Sequence, residues 1–513
     1  MKLVGVFIMV LLGSAVAQLK FVEERGLEHS YIGGEDYIVG GGVATFDCDA
    51  DLLPDVFIAG GEERAALFRN TSEPGGELSF EALELADIRF ATGAYPLKLD
   101  ADEHTDLVVL RFGENLILRG LGDCQFEEAN ELFGFDGGAA WTTSFSAAWF
   151  EGDSLPALAF GNYIDRNQPD SPFGTCLNNS LLRPVGERYE AAQPFTGYCA
   201  LSMLFSDWNR SGVPDLRVSN DRQYYLTNEK REGSEQLFRL EENGLTPYTQ
   251  AEGWEKLQIW GMGIASADLT RDGYPEIYLT SMADQKLRGL VADADTPRYR
   301  DLAYPLGLTA HRSAAEPKPS TGWHAEFADL NHDALLDLFV TKGNVGEMPT
   351  FALNDPNNVF VQQPDGTFKD VAAEVGLLSG ERGRGAAVAD FNRDGLLDIL
   401  VVNRNDPVRV WRNVSEGLGN WLIVDVSQDG TNRDAIGAWL ELRTPTHSQV
   451  LERTVGGGHA SGALIPLHFG LGEHDSAELR VIWTDGSESD WVEVPANSFV
   501  ELGKGLEPII TTP

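Results

Sequence analysis

The sequence predicts an all-β chain: a seven-bladed β-propeller followed by a small, sandwich-like C-terminal β domain. Three observations predict it. A carboxylate-rich turn recurs as far as Asp398, a β-branched or aliphatic run follows each good copy, and beyond Gly419 the turn is lost while short alternating apolar runs continue. A unit repeated at a fixed period marks a stacked or ring architecture, because one unit alone cannot bury its apolar face.

The repeat is clearest near its end. It reads Asp390-Phe-Asn392-Arg-Asp394-Gly395-Leu-Leu-Asp398, and before that Asp329-Leu-Asn331-His-Asp333-Ala334-Leu-Leu-Asp337. Earlier copies are Asp268-Leu-Thr270-Arg-Asp272-Gly273-Tyr-Pro-Glu276 and Asp207-Trp-Asn209-Arg-Ser211-Gly212-Val-Pro-Asp215. These four stand 61 residues apart. The first copy is Asp47-Cys-Asp49-Ala-Asp51-Leu52-Leu-Pro-Asp55. Two degraded copies fill the interval: Lys98 to Asp106 keeps Asp100, Asp102 and Asp106, and Trp149 to Ala157 keeps Glu151 and Asp153. Seven repeats result.

The spacing has a chemical meaning. On a tight turn, positions 1, 3 and 5 offer oxygens to one centre, and a carboxylate at position 9 closes the shell from the returning strand. Position 6 favours Gly, because the backbone there turns through the left-handed region. Hard oxygen donors without His or Cys select calcium. A helix-flanked calcium loop would carry Glu at position 12, whereas here position 9 opens a strand, so this is a hairpin loop. One such turn alone is an ordinary polar hairpin. Five with the ninth acid in register are not.

About five Ca2+ ions are therefore expected, in repeats 1, 4, 5, 6 and 7. The expected ligands are Asp47, Asp49, Asp51 and Asp55; Asp207, Asn209, Ser211 and Asp215; Asp268, Thr270, Asp272 and Glu276; Asp329, Asn331, Asp333 and Asp337; and Asp390, Asn392, Asp394 and Asp398. Copies 2 and 3 read as metal-free: Lys98 puts a cation at position 1, and Ala157 cannot ligate. Leu52 and Ala334 stand where Gly is favoured, at a cost of ~1 kcal/mol each if left-handed.

These loops resemble FG-GAP repeats, the units of integrin α-chain and related bacterial propellers. Gly197-Tyr-Cys-Ala-Leu-Ser-Met, Trp260-Gly-Met-Gly-Ile-Ala-Ser, Tyr278-Leu-Thr-Ser-Met-Ala-Asp and Lys342-Gly-Asn are similar to segments of the cartilage acidic protein family. Asn432-Arg-Asp-Ala-Ile-Gly-Ala, Gly456-Gly-Gly-His and His468-Phe-Gly-Leu-Gly resemble the ASPIC and UnbV domain that ends those proteins. The resemblance implies a secreted calcium-binding propeller and leaves the activity open.

Outer-strand segments Tyr299-Arg-Asp-Leu and Phe368-Lys-Asp-Val precede repeats, and Phe21-Val-Glu-Glu echoes them before the first. After Asp398 the last repeat has only Val408-Arg-Val-Trp411, so the N-terminal segment is expected to supply its missing outer strand, removing two exposed edges. The propeller is assigned to 19–415 and the C-terminal domain to 420–504, joined by a linker at Ser415 to Gly419. Leu422-Ile-Val-Asp-Val, Ala438-Trp-Leu-Glu-Leu, Leu479-Arg-Val-Ile-Trp and Phe499-Val-Glu-Leu read as its strands.

Residues 1–17 read as an export signal, with Lys2, an apolar stretch from Leu3 to Leu12 and a small-residue Ala15-Val16-Ala17 cleavage site. Gln18 rather than Cys follows, which argues against a lipid anchor, and no apolar run is long enough to span a bilayer. A secreted or periplasmic location is expected. Four cysteines in an exported chain predict disulfides. Cys176 with Cys199 would staple an irregular Pro- and Gly-containing segment, leaving Cys48 with Cys124.

With 79 acidic against 39 basic residues and a net charge of −40, nucleic acid and anionic membrane surfaces are disfavoured partners. The rim opposite the calcium loops gathers Trp323, His324, Lys342, Arg384 and Arg404, which could hold an anionic or sugar ligand or else fix neighbouring blades. No nucleophile elbow, H-E-x-x-H, phosphate loop or dinucleotide fingerprint is present, so no catalytic residue is assigned. The first functional reading is an extracytoplasmic, monomeric binding or adhesion module for an extracellular protein or glycan. The alternative is a carbohydrate-active enzyme, lyase or hydrolase, at the channel mouth. Asn70, Asn178 and Asn413 open N-x-Ser/Thr motifs that would accept glycans in a eukaryotic secretory route.

Overall fold

The structure, a computed structural model, describes residues 19–512 apart from 101, 151, 168–174, 222–232, 242–243 and 292–295. The expected leader 1–17, and Glu151 of the third copy, lie outside the described residues. The fold is all-β. Seven four-stranded antiparallel groups follow one another along the chain. Their leading strands are Val43–Phe46, Ala91–Leu97, Thr142–Ala148, Ala200–Ser206, Gly261–Ala267, Gly322–Ala328 and Gly383–Ala389. Each leading strand lies against that of the next sheet, and the seventh lies against the first.

The hairpin arises where the sequence places it. Each carboxylate turn joins the leading strand to a second strand that opens at position 9: Asp55–Ile58, Asp106–Arg111, Ala157–Asn162, Asp215–Asn220, Glu276–Ser281, Asp337–Lys342 and Asp398–Asn403. These second strands are buried along their whole length except at Arg111, because a neighbouring sheet covers each face. That is why they read as continuous apolar runs rather than alternating ones. The core lies between sheets. Phe46, Phe57, Leu67, Leu107 and Leu400, from the first, second and seventh sheets, share one cluster.

The seventh sheet takes its outer strand from the other end of the chain. Phe21–Glu24 pairs antiparallel with Arg409–Asn413, Phe21 opposite Asn413 and Glu24 opposite Val410. Both disulfides form, Cys48–Cys124 with Cα atoms 4.7 Å apart and Cys176–Cys199 with 4.9 Å. Among the described residues, no helix is long and apolar enough to cross a membrane.

Beyond the strandless stretch Ser415 to Gly419, two four-stranded sheets enclose a second core of Leu422, Val424, Leu440, Phe469, Leu479 and Val500. One pairing is parallel, Asn420–Ser427 beside Ser498–Gly503. From this domain a strap returns into the circuit of sheets. Val455 bridges Ala147, Gly456 bridges Leu204, Gly458 bridges Ile264, Ser461 bridges Ala94, and Gly462–Leu464 runs parallel to Ala44–Phe46. Its passage needs backbone without side chains. A Cβ on Gly42 would fall 1.7 Å from the Ala460 carbonyl, and one on Gly93 2.1 Å from it.

Candidate metal centres

In all five copies expected to bind an ion, positions 4 and 6 are left-handed. The φ values are 65° and 70° at Ala50 and Leu52, 54° and 85° at Arg210 and Gly212, and 54° and 85° at Arg393 and Gly395. Leu52 and Ala334 (φ 69°) therefore carry the backbone strain that the sequence implied. In loops 4 to 7 the first carboxylate builds the turn by accepting backbone N–H groups from positions 5 and 6, and in loop 1 Asp47 accepts from Asp49, Ala50 and Leu52. Asp390 accepts from Asp394 (3.1 Å) and Gly395 (2.8 Å), and Asp329 from Asp333 (3.2 Å) and Ala334 (2.8 Å). In the first loop, carboxylate oxygens of Asp47, Asp49 and Asp55 lie within 4.8 Å of one another.

The ninth residue has a second task. Asp398 accepts N–H from Phe391 (3.1 Å) and from Asn413 on the third strand (2.8 Å), and Asp55 does the same with Cys48 (2.8 Å) and Asn70 (2.7 Å). Asp215 differs, accepting instead from the Trp208 indole (2.7 Å) and the Tyr248 hydroxyl (2.8 Å). Asp106, in a copy read as metal-free, keeps the clamp through Leu99 and Gly120 (2.8 and 2.9 Å). The clamp is structural, which explains a buried acid where no ion is expected.

Charge separates the loops. Among the described residues, no basic side chain forms an ion pair with the acids of loops 4 to 7, although Asp329, Asp337 and Asp398 are fully buried. Burial, and then the neighbouring carboxylates, push Asp390 up to about 7 and Asp329, Asp337 and Asp398 well above the ordinary range. Glu276 rises to about 7 and Asp268 to about 6 for the same reasons. Buried carboxylates of this kind must be neutralised, by protons or by a cation. Loop 2 has its cation built in. Arg119 contacts Asp100 at 2.8 Å and Asp102 at 2.7 Å, while Lys98 leaves the loop for Asp434 at 2.8 Å. Against the cost of burial, Arg119 holds Asp100 below its ordinary value.

The loops also seat the C-terminal domain. Arg210 at position 4 pairs with Glu441 at 2.6 Å and lies 4.7 Å over Trp439. His332 hydrogen-bonds the Gly419 carbonyl (3.1 Å) with its ring 5.0 Å from His468, and Arg393 lies 4.2 Å over Phe499. Trp421 packs so closely on Gly395 that a Cβ there would fall 2.0 Å from the indole. Between the leading strands and this domain lies a cavity of about 610 Å3, lined in part by Glu326, Asp425, Glu452 and Arg453.

The opposite rim corrects an expectation. Trp323, His324, Lys342, Arg384 and Arg404 are all buried, so none is presented to a ligand. Arg384 donates to the carbonyls of Ile38 (3.0 Å), Asn344 (3.1 Å) and Val345 (2.8 Å), and lies 3.9 Å over Trp323. Arg404 donates to Tyr37, Gly33 and Gly34, and Lys342 pairs with Asp355 at 3.1 Å. His324 hydrogen-bonds the His459 N–H of the strap (3.2 Å) and Glu326 (3.3 Å). Arg384, Arg404 and Trp323 thus satisfy backbone carbonyls of loops, while Lys342 and His324 are taken up by side chains and the strap. An apolar cluster including Trp141, Tyr163, Met262 and Trp323 closes that end. Two glycosylation motifs are likewise interior: Asn70 donates to the Phe391 carbonyl and Asn413 to that of Leu330, each stitching to the preceding loop. Asn178 is exposed.

Carboxylate loops repeated through the sheets, with a second β domain after them, define a class, and comparisons match one segment of each part. Residues 350–401 match an FG-GAP-like repeat and residues 428–507 match ASPIC and UnbV, so the chain carries both. It is similar to cartilage acidic protein 1 of Mus musculus, 28% identical over 256 residues, which is 49% of this chain and 38% of that protein. The human protein is 27% identical over 44% of this chain and 33% of its own length. The Xenopus tropicalis protein is 48% identical over 59 residues, 11% of this chain and 9% of its own. The chain thus spans well under half the length of these relatives. Among solved structures, BBS1N in complex with ARL6DN has a TM-score of 0.41 at 10% identity, covering 76% of this chain and 96% of that one. A lectin from Agrocybe aegerita that recognises non-reducing terminal N-acetylglucosamine has a TM-score of 0.38 at 16% identity, covering 70% and 88%.

Proposed function

We propose that the seven sheets form a seven-bladed propeller that binds calcium in loops 1, 4, 5, 6 and 7, and that the protein works outside the cytoplasm as a binding module. One observation carries the calcium reading: loops 4 to 7 pack acids, several fully buried, with no cation paired to them among the described residues, whereas the acids of loop 2 pair with an arginine. Oxygen donors at positions 1, 3, 5 and 9, without His or Cys, suit calcium. Asp47, Asp49, Asp51 and Asp55 would hold the ion of loop 1, and Asp390, Asn392, Asp394 and Asp398 that of loop 7. Bound calcium would neutralise these clusters and fix the turns whose fourth residues seat the C-terminal domain. Two disulfides fit an extracellular setting.

A binding role fits a structure whose axis is filled by the strap and capped at one end. The residues on which an enzymatic channel mouth stood are interior, which leaves outer surfaces for a protein or glycan partner. Elemental analysis of protein dialysed against calcium buffer tests the reading, with about five ions per chain expected from the loop inventory. Protein free of calcium, with a melting temperature indifferent to chelator, would overturn it.

A further inference from the structure

In each sheet one residue of the third strand stands directly across from position 9. Pairings such as Val56 with Phe68, Leu107 with Leu118, Leu158 with Leu182, Leu216 with Phe238 and Ile399 with Trp411 fix its identity. It is Arg69, Arg119, Arg183, Arg239 and Arg412 in sheets 1, 2, 3, 4 and 7. In sheets 5 and 6 the same register gives Gly289 and Val361. Five equivalent arginines therefore stand beside seven loops, and they point in two directions.

In the first three sheets the arginine turns into the loop. Arg119 spans Asp100 and Asp102, Arg183 reaches Asp153 at 3.5 Å, and Arg69 meets Asp49 at 2.9 Å. In sheets 4 and 7 it turns away. Arg239 pairs with Glu252, beyond the outer strand, and lies 4.2 Å over Tyr248. Arg412 pairs with Glu24 on the N-terminal strand that completes the seventh sheet. An arginine turned inward supplies the positive charge a loop needs, and its fork takes the same carboxylate oxygens an ion would use.

We propose that this cross-strand arginine decides which loops hold an ion. Held outward by a glutamate it leaves loops 4 and 7 open. Turned inward it replaces the ion in loops 2 and 3, and in loop 1 it competes for Asp49 and makes that site the weakest of the five. The inference rests on the calcium reading and deepens it. It also makes the N-terminal strand part of the seventh site, because Glu24 keeps Arg412 out.

Calcium titration of the full chain, followed by calorimetry and by tryptophan-sensitised terbium luminescence, tests it. Arg69→Leu should tighten the weakest class of sites about tenfold, since the competing ion pair is gone. Glu24→Gln should release Arg412 and weaken one site about tenfold, and Arg412→Leu in the same chain should restore it. A merely structural role for Glu24 would not be rescued in this way. Wild type that binds calcium while Arg69→Leu leaves every affinity unchanged overturns the proposal, as does Glu24→Gln without rescue. Wild type that binds no calcium defeats the calcium reading itself.

Discussion

The two ends of the circuit of sheets carry opposite kinds of polar surplus. At the loop end, carboxylates are buried in clusters with no paired cation, among the described residues, in loops 4 to 7. At the other end, the cations Arg384, Arg404 and Lys342 are buried too, but carbonyls or Asp355 take up their donors. Both ends look functional in a list of residues. Only the first has buried acids without a paired cation among the described residues, and such acids must take up protons or a cation. The second end has spent its polarity on holding loops together.

The largest test of this contrast is removal of calcium. At a hundredfold excess over Kd each site contributes about 2.7 kcal/mol, so chelation should lower the melting temperature by roughly 10 °C or more. Calorimetry with and without chelator reads this directly, and an unchanged melting temperature would erase the distinction between the ends.

Next comes Arg384→Ala at the closed end. It strands several buried carbonyls and opens space beside Trp323, a loss of about 3–5 kcal/mol. Calcium content should stay at the wild-type value, because Arg384 lies at the far end from the loops. A variant that keeps its stability and loses ions would reverse the roles assigned here.

Asp398→Ala against Asp106→Ala sharpens the contrast within the loop end. Each strands two backbone N–H groups, on the order of 2–4 kcal/mol. With calcium in excess, Asp398→Ala should cost a further ~2–3 kcal/mol, and in chelator the two should converge. Equal melting points in both media would mean that the ninth acid is a clamp alone.

The smallest expected effect is that of acid on the strap. His459 is fully buried, and burial, followed by the nearby Arg384 charge, lowers it to about 3. Its folded value lies below its unfolded one, so the unfolded chain takes up the proton first and stability falls as pH drops below about 6.5. By pH 5 this amounts to about 2 kcal/mol. His459→Gln should therefore lose less stability than wild type between pH 7 and pH 5, measured by thermal melts. Parallel slopes would show that the strap imidazole is not buried in solution.

Loop geometry was legible because it is local. Positive φ at position 6, the strand beginning at position 9 and the strain at Leu52 and Ala334 all follow from nine consecutive residues, whereas the positive φ at position 4 was not read from them. The outer strand Phe21–Glu24 was legible too, since a missing strand at one end and a spare one at the other must meet. The cross-strand arginines were half visible: Arg69, Arg119 and Arg412 stand 13 or 14 residues after position 9, but nothing in that spacing says which way each one turns.

What the sequence determined by itself is the periodic part: the repeated hairpin, its carboxylates, the all-β class and a second β domain. Only tertiary structure decided the rest. It buried Trp323, His324, Lys342, Arg384 and Arg404, ran Gly456-Gly-Gly-His459 through the middle of the sheets, and set the C-terminal domain on the loops. The physical reason is range. A turn is fixed by hydrogen bonds a few residues apart, whereas whether a polar side chain meets water, a carbonyl or an ion depends on segments hundreds of residues away, as Arg384 with Ile38 and Arg412 with Glu24 show.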